Sequence, residues 1–290
     1  MVVSIKALAC ELPYQHQLPL SRYSISEIRR EAIERGLVAS IGTTTVWRWL
    51  ADDAIRPWTH RNWIFPRDPR FQEKTDRVLE LYEGFWQGVP LKDDEFLLST
   101  DEKTSIQARI PVHPTAPPAP KRSMRVEHEY RRGGVWAYLA AWDVRRAKVY
   151  GRCEGKTGIA PFQRLVAQVM DTEPYRSARR VFWIMDNGSS HRGKASVDRL
   201  TERWGNIVAV HTPVHASWLN QIEIYFSIVQ RKVLTPVDFS SLQEVADRLY
   251  QFEKHYEEIA TPFQWKFTRA DLDKLLARMR DKAAASTTAA

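Results

Sequence analysis

The sequence predicts an α/β chain in which a mixed five-stranded sheet flanked by helices follows a small all-α segment. Three observations carry this. From Glu95 onward, apolar strand-like runs come first and then alternate with helical stretches, the order that builds a mixed sheet covered on both faces. Two of those runs finish in a carboxylate, at Asp101 and Asp186. Near the start, Ser24 with Glu27 matches a capping box, and Thr43-Thr44-Thr45 opens a second apolar helical stretch.

Taken in order, residues 1–20 read as irregular. One helix is predicted from Ser24 to about Arg35, ended by Gly36, and a second from the threonine run through Val46, Trp47, Arg48, Trp49 and Leu50. Together they have a helix-turn-helix rhythm, so 1–53 is read as a partial DNA-binding region of that kind. Residues 54–70 are rich in Pro, Trp and Arg and read as an extended linker whose Trp58 and Trp63 pack or stack; 71–87 read as a helix, so 54–92 is linker plus connecting helix. Strands are predicted at 96–101, 134–142, 147–153, 181–186 and 207–211. The prolines make 111–124 a loop. Helices are predicted near 160–171, 191–204 and 216–233, with more to follow. The segment 93–282 is thus one α/β domain, and 283–290 (AAASTTAA) reads as a disordered tail.

At roughly 150 residues per domain, 290 residues suit two domains. A hydrophobic share of 43% excludes wholesale disorder. Lys and Arg outnumber Asp and Glu by 43 − 35 = 8, which favours a polyanionic partner. Two cysteines, Cys10 and Cys153, cannot build a disulfide framework or a four-thiolate zinc site. No apolar run approaches the roughly 18 residues of a membrane span, so the expected location is cytoplasmic.

The chemistry is concentrated in three acids. Functional groups in open α/β sheets gather at the carboxyl ends of strands, where Asp101 and Asp186 are expected. A buried strand ending in an unpaired carboxylate is costly unless a cation or a turn takes up the charge. After Asp186 the run Asn-Gly-Ser-Ser-His supplies turn chemistry. Glu223 lies beside the apolar face of the 216–233 helix, in a polar stripe with Asn220, Ser227 and Gln230 that suits a helix lining a cleft. Three hard oxygen ligands without Cys or a His pair point to Mg²⁺ or Mn²⁺. Two such ions serve phosphoryl transfer.

The runs STDEKTSIQAR, WIMDNGSSHRG and HTPVHASWLNQIEIYFSIVQRKVLTP resemble the three signatures of DDE transposases of bacterial insertion sequences, the group related to mariner elements. The 36 residues between Asp186 and Glu223 match the Asp-to-Glu spacing of that family, and SWLNQIE is its most diagnostic piece. The resemblance runs from about Ser24 to Arg280. It implies an RNase H-like catalytic domain over 93–282 with a helix-turn-helix upstream. It implies that Asp101, Asp186 and Glu223 are the catalytic, metal-binding triad holding two Mg²⁺ (or Mn²⁺) ions, supported by Glu102, Lys103, Asn187, Ser190, His191, Asn220 and Gln221. It also implies double-stranded DNA as partner (transposon terminal repeats and target), a homodimer on DNA, and a bacterial, nucleoid-associated setting. Family members carry a further helix-turn-helix upstream, so the 23 residues before Ser24 imply a shortened N-terminus.

DNA contacts are expected from Thr43, Thr44, Thr45 and Arg48 in the second helix, and from Arg131, Arg132, Arg192, Lys194, Arg231 and Lys232 near the site. Nine Lys and Arg between Lys121 and Arg152 extend the basic character. His211 and His215, flanking a Pro turn, are read as structural. The competing readings are a transposase-derived DNA-binding protein without cleavage, a ribonuclease of the same fold class, and a carboxylate-pair glycosidase needing no metal.

Overall fold

The computed structural model describes residues 1–60, 66–188 and 193–288. The expectations for Trp63, Ser190, His191 and Arg192 lie outside the described residues. The chain divides into two compact units, Met1–Ile64 and Phe65–Ala290.

The first unit is all-helical: α1 (Val2–Ala9), a 3₁₀ turn (Pro13–His16), α2 (Ile25–Glu34) and α3 (Thr43–Asp52). Residues 1–20 were expected to be irregular, and α1 corrects that. Its ends carry no side-chain cap and its first turn no acid, so the usual helix-start signals are missing. Packing supplies what the local signals do not: Ile5, Leu8 and Ala9, spaced three and one apart, join Tyr23, Ile28, Ala32, Val46 and Leu50 in a buried cluster. The capping box of α2 is present in both halves, Glu27 N–H on Ser24 Oγ and Ser24 N–H on Glu27 Oε2. Gly36, past the end of α2, has φ of 68°, which a glycine adopts at little cost. The threonines fill the first turn of α3 behind Gly42 rather than capping it.

In the second unit α4 (Phe71–Tyr82) is shorter than the predicted 71–87. Gly84 and Gly88 take positive φ, and the chain folds into a small hairpin, β1 (Phe85–Trp86) with β2 (Val89–Pro90). Trp86, counted in the helix by its spacing, instead packs on Phe182 with ring centroids 4.9 Å apart. The main sheet holds β3 (Glu95–Pro111), β4 (Tyr130–Asp143), β5 (Lys148–Glu154), β6 (Arg180–Met185) and β7 (Ile207–His211) in the order β5-β4-β3-β6-β7. β5, β4 and β3 are antiparallel; β3, β6 and β7 are parallel. This is the mixed five-stranded arrangement expected of an RNase H-like domain.

Period-2 alternation sorts the strands onto two cores. Leu97, Tyr138, Ala140, Trp142, Phe182 and Ile184 face one side, with α7 (Ile222–Lys232), α8 (Leu242–Ile259) and α4 packed there. Leu98, Leu139, Ala141, Trp183 and Met185 face the other, under α5 (Ile159–Met170) and α6 (Lys194–Arg203). α9 (Arg269–Thr288) completes the chain. It continues as helix through the first six residues of the segment expected to be a tail, whose alanines have high helix propensity.

Two corrections bear on the site. The strand predicted to end at Asp101 runs on to Pro111, because β4 stays paired with it far beyond the last β6 partner. The helix predicted over 216–233 is two pieces, a 3₁₀ turn (Ser217–Leu219) and α7, separated at Asn220 with extended backbone (φ −89°, ψ 111°).

Candidate active site

The parallel register decides where the two aspartates stand. β3 pairs with β6 residue for residue from Glu95↔Arg180 to Ser99↔Ile184, and β6 ends one residue later. Asp101 is two residues beyond Ser99 and Asp186 two beyond Ile184. Carried two residues past its last pair, the register points them to the same level at the end of the β3–β6 ladder. Both share the parity of Leu97, Phe182 and Ile184, the side on which α7 packs. Asp101 therefore sits in mid-strand, at the point where β3 has lost its β6 neighbour but keeps β4, opposite Ala140. Asp186 has left the sheet, and its Oδ1 accepts the Gly188 N–H at 2.7 Å.

Glu223 enters from above in the first turn of α7. Its position depends on the break at Asn220, which is 1% exposed. The Asn220 amide accepts a short hydrogen bond from Ser99 Oγ and donates from Nδ2 to the Thr100 carbonyl at 2.8 Å. Ser99 Oγ also accepts the Ile222 N–H at 2.8 Å. From α4, Tyr82 Oη donates to the Leu219 carbonyl at 2.7 Å and accepts the Gln221 N–H at 3.3 Å. The buried amide and hydroxyl thus fasten the start of α7 to β3, two residues from Asp101, and the Tyr82 phenol ties it to α4. Helix continuity is given up because these side-chain bonds satisfy the backbone groups that the broken helix leaves open. The sequence reading placed Asn220 on a helical stripe and missed Ser99 and Tyr82. A buried hydroxyl two residues before Asp101 was the available signal for Ser99; nothing local marked Tyr82.

The electrostatics are those of excess negative charge. Burial, then the charges of Asp186, Glu102 and Glu223, push the Asp101 carboxyl up to about 7 against the Glu102 N–H. Glu223 is raised by burial, with Lys103 pulling it down and Asp186 pushing it up. Lys103 is lowered by its own burial and held up by Glu223. Among the described residues no group of three or more His, Cys, Asp and Glu side chains is drawn together tightly enough to hold an ion. Lys103 is the cation acting on Glu223. The donor set fits a divalent ion: hard carboxylate oxygens, partly dehydrated, with Asp101 raised by the charges of its acidic neighbours.

Of the other expected residues, Asn187 donates to the Thr212 carbonyl at 2.7 Å and links the end of β6 to the end of β7. Gln221 is 1% exposed, and its Oε1 has no hydrogen-bond partner. Arg131 and Arg132 are exposed on the outer half of β4, opposite Ile110 and Arg109. Lys194 opens α6, and Arg231 and Lys232 close α7; all three are exposed. Thr43, Thr44 and Arg48 are exposed in the first unit, while Thr45 is half-buried.

No curated protein matches this chain. In fold it is similar to the crystal structure of the Mos1 mariner paired end complex with Mn, at TM-score 0.52 and 18% identity over 82% of this chain and 73% of that one. It is similar likewise to the Mos1 strand transfer complex, at TM-score 0.53 and 13% identity over 98% of this chain and 77% of that one. The family model described as DDE superfamily endonuclease matches residues 97–246, more than half of the chain. That span holds Asp101, Asp186 and Glu223 and all but the first two residues of the sheet, and by it the chain belongs to the DDE superfamily endonucleases.

Proposed function

We propose that this chain is a transposase that cuts DNA at transposon ends and joins the freed strand to target DNA. The single observation that carries the reading is the β3–β6 register, which, followed two residues past its last pair, brings Asp101 and Asp186 to one level, with the charges of Asp186 and Glu223 both raising Asp101. Asp101, Asp186 and Glu223 would hold the metal, two Mg²⁺ or Mn²⁺ ions. When bound, the ions supply activation of a nucleophilic oxygen and charge stabilisation at the leaving 3′ oxygen.

The chain's own residues do the rest. Ser99, Asn220 and Tyr82 hold Glu223 over the aspartates. Lys103, whose charge acts on Glu223, is placed to meet a phosphate of the DNA. Asn187 keeps the segment after Asp186 against β7. No covalent enzyme intermediate is required, because water serves as nucleophile for cutting and the new 3′ hydroxyl for joining.

The partners are then double-stranded DNA, as transposon ends and target, and a second copy of the chain, since two ends must be brought together. The fold similarity to Mos1 complexes supports this. In the helical unit, Thr43, Thr44 and Trp47 line a common pocket with Ser24 and Ser26 at the starts of α3 and α2, a surface suited to phosphate and base contacts in a helix-turn-helix manner. The setting proposed with this reading is a bacterial cytoplasm, at the nucleoid.

The test is nicking of a duplex carrying the flanking repeat, with Mg²⁺ or Mn²⁺, by the wild-type chain and by Glu223→Gln. Metal-dependent nicking that the variant loses is the expected result. DNA binding without nicking by the wild type moves the reading to a DNA-binding protein derived from a transposase. Cleavage that survives a chelator removes the metal mechanism altogether.

A further inference from the structure

The carboxylate site opens on one side into a second feature that the proposed chemistry does not use. Between Lys103 and Ile106 the pairing of β3 with β4 slips, with Ser105 at φ 60°, a left-handed backbone uncommon for a residue with a side chain. A β-bulge of this kind bends the strand and re-aims the side chains beyond it. Past the bulge lies a cleft of about 750 Å³ between the outer half of the β3–β4 hairpin and the segment that ends α7. Lys103, Gln107, Arg109, Tyr130 and Gln230 line it.

Three properties define its occupant. First, its free charge is positive. Glu127 is the one acid among the described lining residues, and its carboxylate is already taken by the N–H groups of Val112 and His113 and by His113 Nδ1, at 2.6, 2.8 and 2.8 Å. Second, it carries an aromatic platform. Tyr130 is 38% exposed, and the Arg109 guanidinium lies 4.9 Å from its ring centroid. Third, it is continuous with the carboxylate site through Lys103, which interacts with Glu223 at one end and lines the cleft at the other. A cleft this size takes a few nucleotides of one strand and excludes a duplex. Cations along a groove with an exposed ring are how single strands are held, phosphates on the cations and a base on the ring.

We propose that this cleft is a single-strand subsite that receives unpaired nucleotides next to the scissile phosphate, stacking one base on Tyr130 and holding its phosphates with Lys103 and Arg109. The proposal rests on the reading of the chain as a DNA-cutting enzyme and deepens it: the DNA is opened at the cut, and one strand is led away along the bulged face of β3.

The test uses the full chain carrying Glu223→Gln, so that DNA is bound without being consumed. Two duplexes of one sequence are compared, one blunt and one with a short unpaired tail bearing a fluorescent adenine analogue. The tailed duplex is expected to bind about tenfold more tightly and to quench the analogue by stacking. Adding Tyr130→Ala removes both effects while binding of the blunt duplex is retained, which shows that the chain is folded; Tyr130→Phe keeps both. Arg109→Gln lowers the salt dependence of tail binding. Equal affinity for the two duplexes, or a tail preference that survives Tyr130→Ala, overturns the subsite. Nicking by the wild-type chain is read separately. Nicking without tail preference leaves the transposase reading standing and removes the subsite, whereas tail preference without nicking does the reverse.

Discussion

The two ends of the β3–β6 pair carry buried carboxylates under opposite rules. At the start, Glu95 is 2% exposed and meets Arg180 at 2.5 Å, with Arg179 at 3.9 Å and the Lys92 N–H at 3.0 Å. Burial pushes its carboxyl up, but Lys92 and the arginines outweigh that and hold it below the ordinary range. At the other end Asp101 is also dehydrated, but the charges acting on it are carboxylates, and it rises to about 7. The same two strands thus bury one acid as a finished ion pair and leave another with its charge unbalanced. A buried acid that the fold itself neutralises belongs to stability; one that neighbouring acids make worse is a place where a cation from solution completes the structure.

The largest test of this contrast is catalytic. Asp101→Asn, Asp186→Asn and Glu223→Gln should each lower nicking by roughly a thousandfold, as should removal of metal with a chelator. Glu95→Gln should leave the nicking rate per folded molecule unchanged.

Stability should move the opposite way. Glu95→Gln removes charge-assisted hydrogen bonds from a buried group and should cost about 2 kcal/mol, lowering Tm by several degrees. Asp101→Asn, measured in a chelator at pH 8, relieves repulsion and should raise Tm by about 2 °C. In saturating Mg²⁺ that advantage should disappear, because only the wild type gains stability from the ion. A fall in Tm for Asp101→Asn in the chelator would break the comparison.

A smaller effect is expected at the tether. Tyr82→Phe deletes the hydroxyl that holds the Leu219 carbonyl and the Gln221 N–H, and should lower kcat about tenfold with little change in DNA affinity. A loss confined to affinity would show that Tyr82 does not act through Glu223.

The smallest effect concerns pH. Asp68 accepts from Lys74 Nζ at 2.7 Å and from the N–H groups of Arg70 and Val214 at 3.0 and 3.1 Å. These bonds outweigh burial and bring it down to about 2. A depressed carboxyl contributes stability that is present above its unfolded value and lost as pH falls through the folded one. Acid should therefore destabilise the chain between about pH 4 and pH 2, and Asp68→Asn should flatten that limb by about 1 kcal/mol, read from urea midpoints across the range.

Much of the molecule was legible beforehand because its signals are local. Alternating apolar runs marked the five strands. Ser24 with Glu27 marked the start of α2, and Asp101, Asp186 and Glu223 stood in the order and spacing of a known signature. The features that could not be read depend on partners far along the chain. Residues 1–20 looked irregular because Ile5, Leu8 and Ala9 make a helix only against Tyr23, Ile28 and Val46. Trp86 had helical spacing, but Gly84 ended the helix and Phe182 took the ring. The sequence alone determined which acids we propose for the chemistry, since residue type and order carry charge and ligand preference. Tertiary structure alone decided how they meet. Asp101 lies in mid-strand because β4 runs on past β6, and α7 begins at Ile222 because Ser99, 121 residues before Asn220, bonds to that asparagine's side chain. Register and helix breaks are set by contacts between distant segments, and those contacts exist only once the sheet has formed.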